Sequence, residues 1–281
     1  MTTQYDAIGL AYESLKRLPA AMLERNSLCA ALTPFLSHPA SEETNGGSDS
    51  GAKVLDLACG TGYYSRLLLS WGASQVVGVD ISSAMVEAAE SSCSQSGISP
   101  NRLSFRVGDC IQPLVLDSGP FDVVLGAWFL NYASTPAEMR NMFANISANL
   151  KPGGHFVGIT PHPALDLDAF AALHDQTKNP GRNPRKYGVS VAYTDKLDDG
   201  SGYLTKITGH VEPVEISFEN FHMRREVYEK CAREGGMGGR LEWKKIVVPD
   251  PKESRERYGV EEGYWDEYNE TPHLGILVIE K

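Results

Sequence analysis

Residues 54–65 read Val-Leu-Asp-Leu-Ala-Cys-Gly-Thr-Gly-Tyr-Tyr-Ser. A short apolar run carries an acid, Asp56, breaks at Gly60 and Gly62, and re-enters helical spacing over 64–70. A buried strand, a tight glycine turn and a helix open a βαβ unit. The next strand, 75–80, ends in a second carboxylate, Asp80. Two glycines let the backbone approach a ligand closely, and an acid closing the following strand can accept hydrogen bonds from ribose hydroxyls.

The alternation continues along the chain. Strands are expected at 53–56, 75–80, 103–107, 121–126 and 155–160, with 151–154 as a turn. Helices are expected at 64–71, from a Ser82 or Ser83 cap to about 94, and at 136–150. Strands alternating with helices imply a parallel sheet covered on both faces.

The ligand follows from two departures from the dinucleotide pattern. A dinucleotide turn wants a third glycine and places a pyrophosphate on the helix N-terminus. Here Ser65 replaces that glycine, and Asp56 precedes the turn. A carboxylate aimed into the pocket repels a pyrophosphate but suits a ligand carrying an ammonium and a sulfonium. The pattern favours S-adenosylmethionine over NAD.

Bulk properties narrow the partners. The 281 residues can bury a full core, and the net charge is −10 with an isoelectric point near 5.2. That balance argues against tight binding to a phosphate backbone. Five widely spaced cysteines without a C-x-x-C pair fit reduced thiols. No metal-ligand spacing occurs, the N-terminus lacks a signal-peptide pattern, and no apolar run reaches the length of a membrane span. The expected setting is the cytoplasm, with no metal, nucleic-acid or membrane partner; oligomeric state is not legible.

The run at 54–62 resembles the first motif of the class I S-adenosylmethionine-dependent methyltransferases. Phe-Asp-Val-Val at 121–124 and Leu-Lys-Pro-Gly-Gly at 150–154 resemble that family's later motifs. The resemblance implies a Rossmann-like α/β fold: a seven-stranded, mostly parallel sheet with an antiparallel edge strand. A helix at 221–234 and strands at 241–248 and 274–280 would complete the core.

It also implies cofactor roles. Gly60 and Gly62 would pass under the methionine portion, and Asp56 would help hold its amino group. Asp80 would take the ribose hydroxyls, and Ile81 would pack on adenine. Asp109 would accept from the adenine amino group, the Cys110 backbone would meet the ring edge, and Ala127 and Trp128 would contact the methionine end. Tyr5 and Tyr12 resemble the tyrosine-rich first helix of ubiquinone/menaquinone C-methyltransferase-like proteins, in which a tyrosine closes over the cofactor; cation–π attraction to the sulfonium would help. The runs Tyr5–Tyr12, Tyr63-Tyr64-Ser65 and Trp71-Gly72-Ala73 also resemble fungal secondary-metabolite methyltransferases, a group that includes dithiol S-methyltransferases.

The organisation read from the chain is a helical cover at 1–38, punctuated by Pro19 and Pro34, and a Ser/Glu/Gly-rich linker at 39–52. The cofactor-binding core follows at 53–160, then an α+β insertion at 161–220 after the fifth strand, and the rest of the core at 221–281. Within the insertion a helix is expected at 165–176, with strands near 189–193, 203–208 and 211–218. The acceptor should enter at the C-terminal ends of the fourth and fifth strands, near Trp128, Phe129, Asn131, Tyr132 and His222. His174, Tyr187 and Tyr193 are weaker wall residues.

His162 is the general-base candidate, because imidazole titrates near neutrality; the other reading is a loop histidine framed by Pro161 and Pro163. In-line methyl transfer needs positioning and a dry site more than a fixed triad. The expected activity is methyl transfer to a small molecule through sulfur, nitrogen, oxygen or carbon. Methylation of a protein, and a non-catalytic or pericyclase-like use of the fold, remain open.

Overall fold

The computed structural model describes residues 4, 8–37, 51–174, 185–270 and 272–281. Most of the expected linker, and Tyr5, lie outside the described residues.

Seven strands form the main sheet: β1 (Lys53–Leu57), β2 (Gln75–Asp80), β3 (Leu103–Val107), β4 (Phe121–Ala127), β5 (Leu150–Pro161), β9 (Leu241–Lys244) and β10 (Leu274–Glu280). Their order is β3-β2-β1-β4-β5-β10-β9. The first five run parallel, while β10 pairs antiparallel with both β5 and β9. The α/β Rossmann-like architecture therefore stands as expected, with the reversed strand set just inside the edge. Chain order reverses beside β1, whose neighbours are β2 and β4, and a crevice opens at such a point past the strands' C-terminal ends.

Side chains alternate across each strand, so one sheet builds two cores. Leu55, Leu57, Val77, Val124 and Phe156 pack with α4 (Pro136–Asn149) and α6 (Arg225–Glu234), through Phe143 and Tyr228 among others. Val54, Val76, Val123, Leu125 and Val157 pack on the other face. There they meet Leu28, Leu32 and Leu36 of α1 (Pro19–Leu36), Leu68 of α2 (Tyr63–Ser70) and Ala89 of α3 (Ser83–Gln95). Each leucine removed from water in this way contributes about 2 kcal/mol. Double-sided burial explains why β1 reads as a nearly unbroken apolar run.

A separate antiparallel sheet, β6 (Val189–Lys196), β7 (Gly202–Gly209) and β8 (Ile216–Met223), follows α5 (Leu167–His174). The N-terminal segment lies on it: Gln4 exchanges two hydrogen bonds with the Glu219 backbone, and the Ala20 N–H donates to the Tyr187 carbonyl. A 3-10 helix, Gly9–Arg17, leads into α1.

Several boundaries differ from the sequence reading. Residues 221–223 finish β8 rather than open a helix, so α6 starts four residues later than expected. Pro34 sits inside α1 instead of ending it. The expected turn at 151–154 is absorbed into β5, where pairing with β4 shifts register. The strand expected at 211–218 starts at Ile216, and β9 stops at Lys244. Two polar helices, α7 (Pro251–Tyr258) and α8 (Asp266–Glu270), were not foreseen.

Candidate functional site

The crevice has a volume of about 510 Å³ and lies where the switch point places it. Ala58 and Gly60 line it after β1, Asp80 and Ile81 after β2, Asp109 and Cys110 after β3, and Ala127, Trp128 and Phe129 at the end of β4. Gln4, Tyr12, Leu204 and Phe221 close it from the N-terminal segment and the small sheet.

The backbone there is bent into unusual conformations. Among the described residues, Ala58 (φ 56°) and Trp128 (φ 60°) are the non-glycine residues with positive φ, and both border the crevice. Such conformations cost about 1–3 kcal/mol and concentrate at functional sites. Gly60 has φ 54°, with open space where a Cβ would stand, so its glycine answers to backbone conformation and leaves room for a ligand. Gly62 departs from its expected role: a Cβ there would strike the Phe105 ring, and Gly62 does not line the crevice. It is a left-handed N-cap that lets α2 pack closely on the sheet.

Asp80 is fixed from both sides. The Gly60 N–H donates to its Oδ2 at 2.8 Å and the Ser82 N–H to its Oδ1 at 2.9 Å. Ser82 also caps α3, accepting from the Met85 N–H. Ile81 is 37% exposed at the crevice, an apolar platform beside an anchored carboxylate. Asp109 turns one oxygen to the Ile111 N–H.

Asp56 lies behind the glycine turn rather than among the crevice-lining residues. It is 1% exposed, and Ser65 Oγ donates to it at 2.5 Å. Burial pushes its carboxyl up to about 7; the Ser65 hydrogen bond opposes the rise and the nearby Asp80 adds to it. Burial likewise pushes the Cys110 thiol up to about 12, so that thiol stays protonated at neutral pH.

A second, narrower cavity of about 110 Å³ lies between the small sheet, the N-terminal helices and the ends of β4 and β5. Tyr12, Trp128 and Tyr132 border both cavities, so a partition of aromatic side chains separates them. Leu15, Val189, Val191, Ile207, Phe170 and Phe218 make most of its wall apolar. Of the residues expected near the acceptor, Asn131 and His222 border this cavity, Trp128 and Tyr132 border both, and Phe129 borders the crevice. Tyr187 and Tyr193 are wall residues too; His174 is not.

His222 is fully enclosed. Its Nε2–H donates to the His162 carbonyl at 2.8 Å, so Nδ1 accepts from the Tyr193 hydroxyl at 2.9 Å. Burial pulls its titration down to about 3, leaving the ring neutral. The general-base expectation for His162 is corrected: its ring lines neither cavity. It stacks on Phe170 (5.0 Å, 17°), and burial lowers its titration. A strand-end position predicted exposure to the site, but the chain turns the ring under α5 and leaves the backbone carbonyl to hold His222.

One polar cluster escaped the sequence reading. Lys16 Nζ meets Glu24 Oε2 at 2.9 Å, Tyr64 donates to the same oxygen at 2.6 Å, and the ammonium lies 4.6 Å from the Tyr64 ring centre. Both charged residues border the narrow cavity. Burial pulls Lys16 down, but Glu24 outweighs it and holds the ammonium above its ordinary range. Eight residues separate the pair across the helix junction at Pro19, a spacing with no local signature.

Residues 54–154 match the family model described as a methyltransferase domain. The residues at the crevice fit S-adenosylmethionine: an anchored carboxylate, an exposed apolar platform and a glycine turn with open space above it. Among curated relatives, the mRNA cap guanine-N(7) methyltransferase of Candida glabrata is 28% identical over 167 residues, covering 55% of this chain and 39% of that protein. The malonyl-[acyl-carrier protein] O-methyltransferase of a Paenibacillus strain is 26% identical over 159 residues, covering 56% of each. The chain thus spans about two-fifths to just over half the length of these relatives. An S-adenosylmethionine-dependent methyltransferase from Mesorhizobium loti shares the fold at 18% identity and a TM-score of 0.54, over 92% of this chain and all of that one.

Among the described residues no group of histidines, cysteines and acids is arranged to hold a metal ion. No helix there is long and apolar enough to cross a membrane.

Proposed function

We propose that this chain transfers a methyl group from S-adenosylmethionine to a small-molecule acceptor, a secondary metabolite by the resemblance of its motifs. The observation that carries the reading is the aromatic partition of Tyr12, Trp128 and Tyr132 between a cofactor-sized crevice and a narrow apolar cavity. Bound S-adenosylmethionine supplies an electrophilic methyl group. The chain's own part is to hold, orient and exclude water. Asp80 holds the ribose, Ile81 packs on adenine, Asp109 and the Cys110 backbone meet the adenine edge, and Ala127 and Trp128 guide the methionine end. Asp56 acts from behind the turn as negative charge facing the cofactor's ammonium.

The acceptor enters the second cavity beside Asn131, Tyr132 and His222. His222 cannot take the acceptor's proton near neutrality, because burial holds the ring neutral down to about pH 3. The reading therefore favours nucleophiles that react as free thiolates or amines. A second reading comes from the relatives that methylate mRNA caps: a nucleic-acid acceptor for this chain as well. The net charge of −10 and the apolar cavity wall weigh against it.

The test is transfer of label from methyl-labelled S-adenosylmethionine to three acceptor pools: small-metabolite extract, GpppG-capped RNA and a protein extract. Label in the small-metabolite fraction supports the proposal. Label confined to RNA or protein, or uptake of no label despite cofactor binding, overturns it.

A further inference from the structure

Resting on the acceptor reading of the narrow cavity, we propose that Asn131 selects an acceptor carrying a carboxamide or lactam edge, a C=O and an N–H side by side on an otherwise apolar ring. Asn131 sits in the 3-10 turn Leu130–Tyr132, just past the strained Trp128. It is 1% exposed, and neither Oδ1 nor Nδ2 has a hydrogen-bond partner among the described residues.

The same chain treats its other buried amides differently. Asn145 donates to the Cys110 and Gln112 carbonyls and accepts from the Leu114 N–H. Asn149 donates to the Leu114 and Asn145 carbonyls and accepts from the Leu116 N–H. Asn220 accepts from Thr205. Asn220 also borders the narrow cavity, but among the described residues Asn131 is the buried amide there with both side-chain polar atoms unmatched.

Burying an unmatched amide is unfavourable, and an apolar residue of similar size would avoid it. A planar amide presents a donor and an acceptor side by side, and its complement is another amide edge. An ester offers only an acceptor and leaves Oδ1 unmatched. Competing groups on the wall are engaged: His222 uses both ring nitrogens, and Lys16 and Glu24 hold each other. A site that buries a polar pair rejects ligands unable to pair with it.

The test uses the full chain saturated with S-adenosylhomocysteine, titrated with benzamide, methyl benzoate and toluene by ligand-observed NMR. Benzamide should bind at least tenfold more tightly than methyl benzoate. Asn131→Leu should abolish that preference while leaving the melting temperature unchanged or higher. Equal binding of benzamide and methyl benzoate to the native chain overturns the proposal, as does a preference that survives N131L or a melting temperature that falls by several degrees. If N131L does not fold, Asn131→Ala serves instead: it removes both the donor and the acceptor and should lose the benzamide preference; retention overturns the proposal. Absence of the preference in the native chain with cofactor binding intact counts against this inference alone. Amide selectivity without cofactor binding counts against the methyltransferase reading alone.

Discussion

Asp56 shows how one buried acid can link pH, stability and cofactor. Its carboxyl titrates near 3.8 when unfolded and near 7 when folded. The folded state therefore holds its proton more tightly, and stability falls as pH rises from about 4 to about 7, by at most roughly 4 kcal/mol. Asp56→Asn should flatten this part of the profile and melt higher than the native chain at pH 8; equal slopes in thermal melts at pH 5 and pH 8 would refute the assignment. The same carboxylate, once ionised, should favour the cofactor's ammonium, so S-adenosylhomocysteine affinity should climb between pH 6 and 8 in the native chain and not in the variant. Asp80 has a different task. With one oxygen on each of two backbone N–H groups, it presents a fixed charge to the crevice. Asp80→Ala should weaken S-adenosylhomocysteine binding at least tenfold by calorimetry, whereas His162→Ala should change it less than twofold. Comparable losses would contradict the division of roles.

Among elements, the joint between the N-terminal helices and the small sheet governs whether the cavities are enclosed. Gly188 opens β6 with φ 81°, and a Cβ there would press into Leu18, the residue just before α1. Gly188→Ala combines backbone strain with that clash and should cost about 1–3 kcal/mol. It should lower the melting temperature and loosen cofactor binding together; unchanged binding would show that the joint does not close the crevice. This joint also marks the limit of what the sequence disclosed. Strands β1 to β4 were legible to within about a residue: β1, β2 and β4 are buried along most of their length, and β2 ends at Asp80. The start of β5 and both ends of β8 were not, because register and pairing, rather than local pattern, decide where those strands begin and stop. Pro34 read as punctuation, yet α1 continues past it for two residues to Leu36.

At the scale of the whole molecule, the crevice was legible and the second cavity only in part. Asp80, Ile81, Asp109, Cys110, Ala127 and Trp128 all line the crevice because strand ends fix them in a pattern of local spacing. The packing of Phe218 beside Tyr12 joins segments about two hundred residues apart, and the Lys16–Glu24 pair spans the helix junction at Pro19; no local pattern encodes either. Tyr12 belongs to both worlds: it borders each cavity, its ring lies 6.0 Å from Phe218, and burial raises its hydroxyl above the ordinary range, so it stays a neutral phenol. If the partition works by shape and exclusion of water, the ring matters and the hydroxyl does not. Tyr12→Phe should then keep cofactor affinity and any methyl transfer within about threefold, while Tyr12→Ala, which joins the two cavities and admits water, should lower both at least tenfold without a matching fall in melting temperature. A loss with Tyr12→Phe as deep as with Tyr12→Ala would instead assign the work to the hydroxyl, and the two-cavity partition would no longer explain how the methyl group reaches its acceptor.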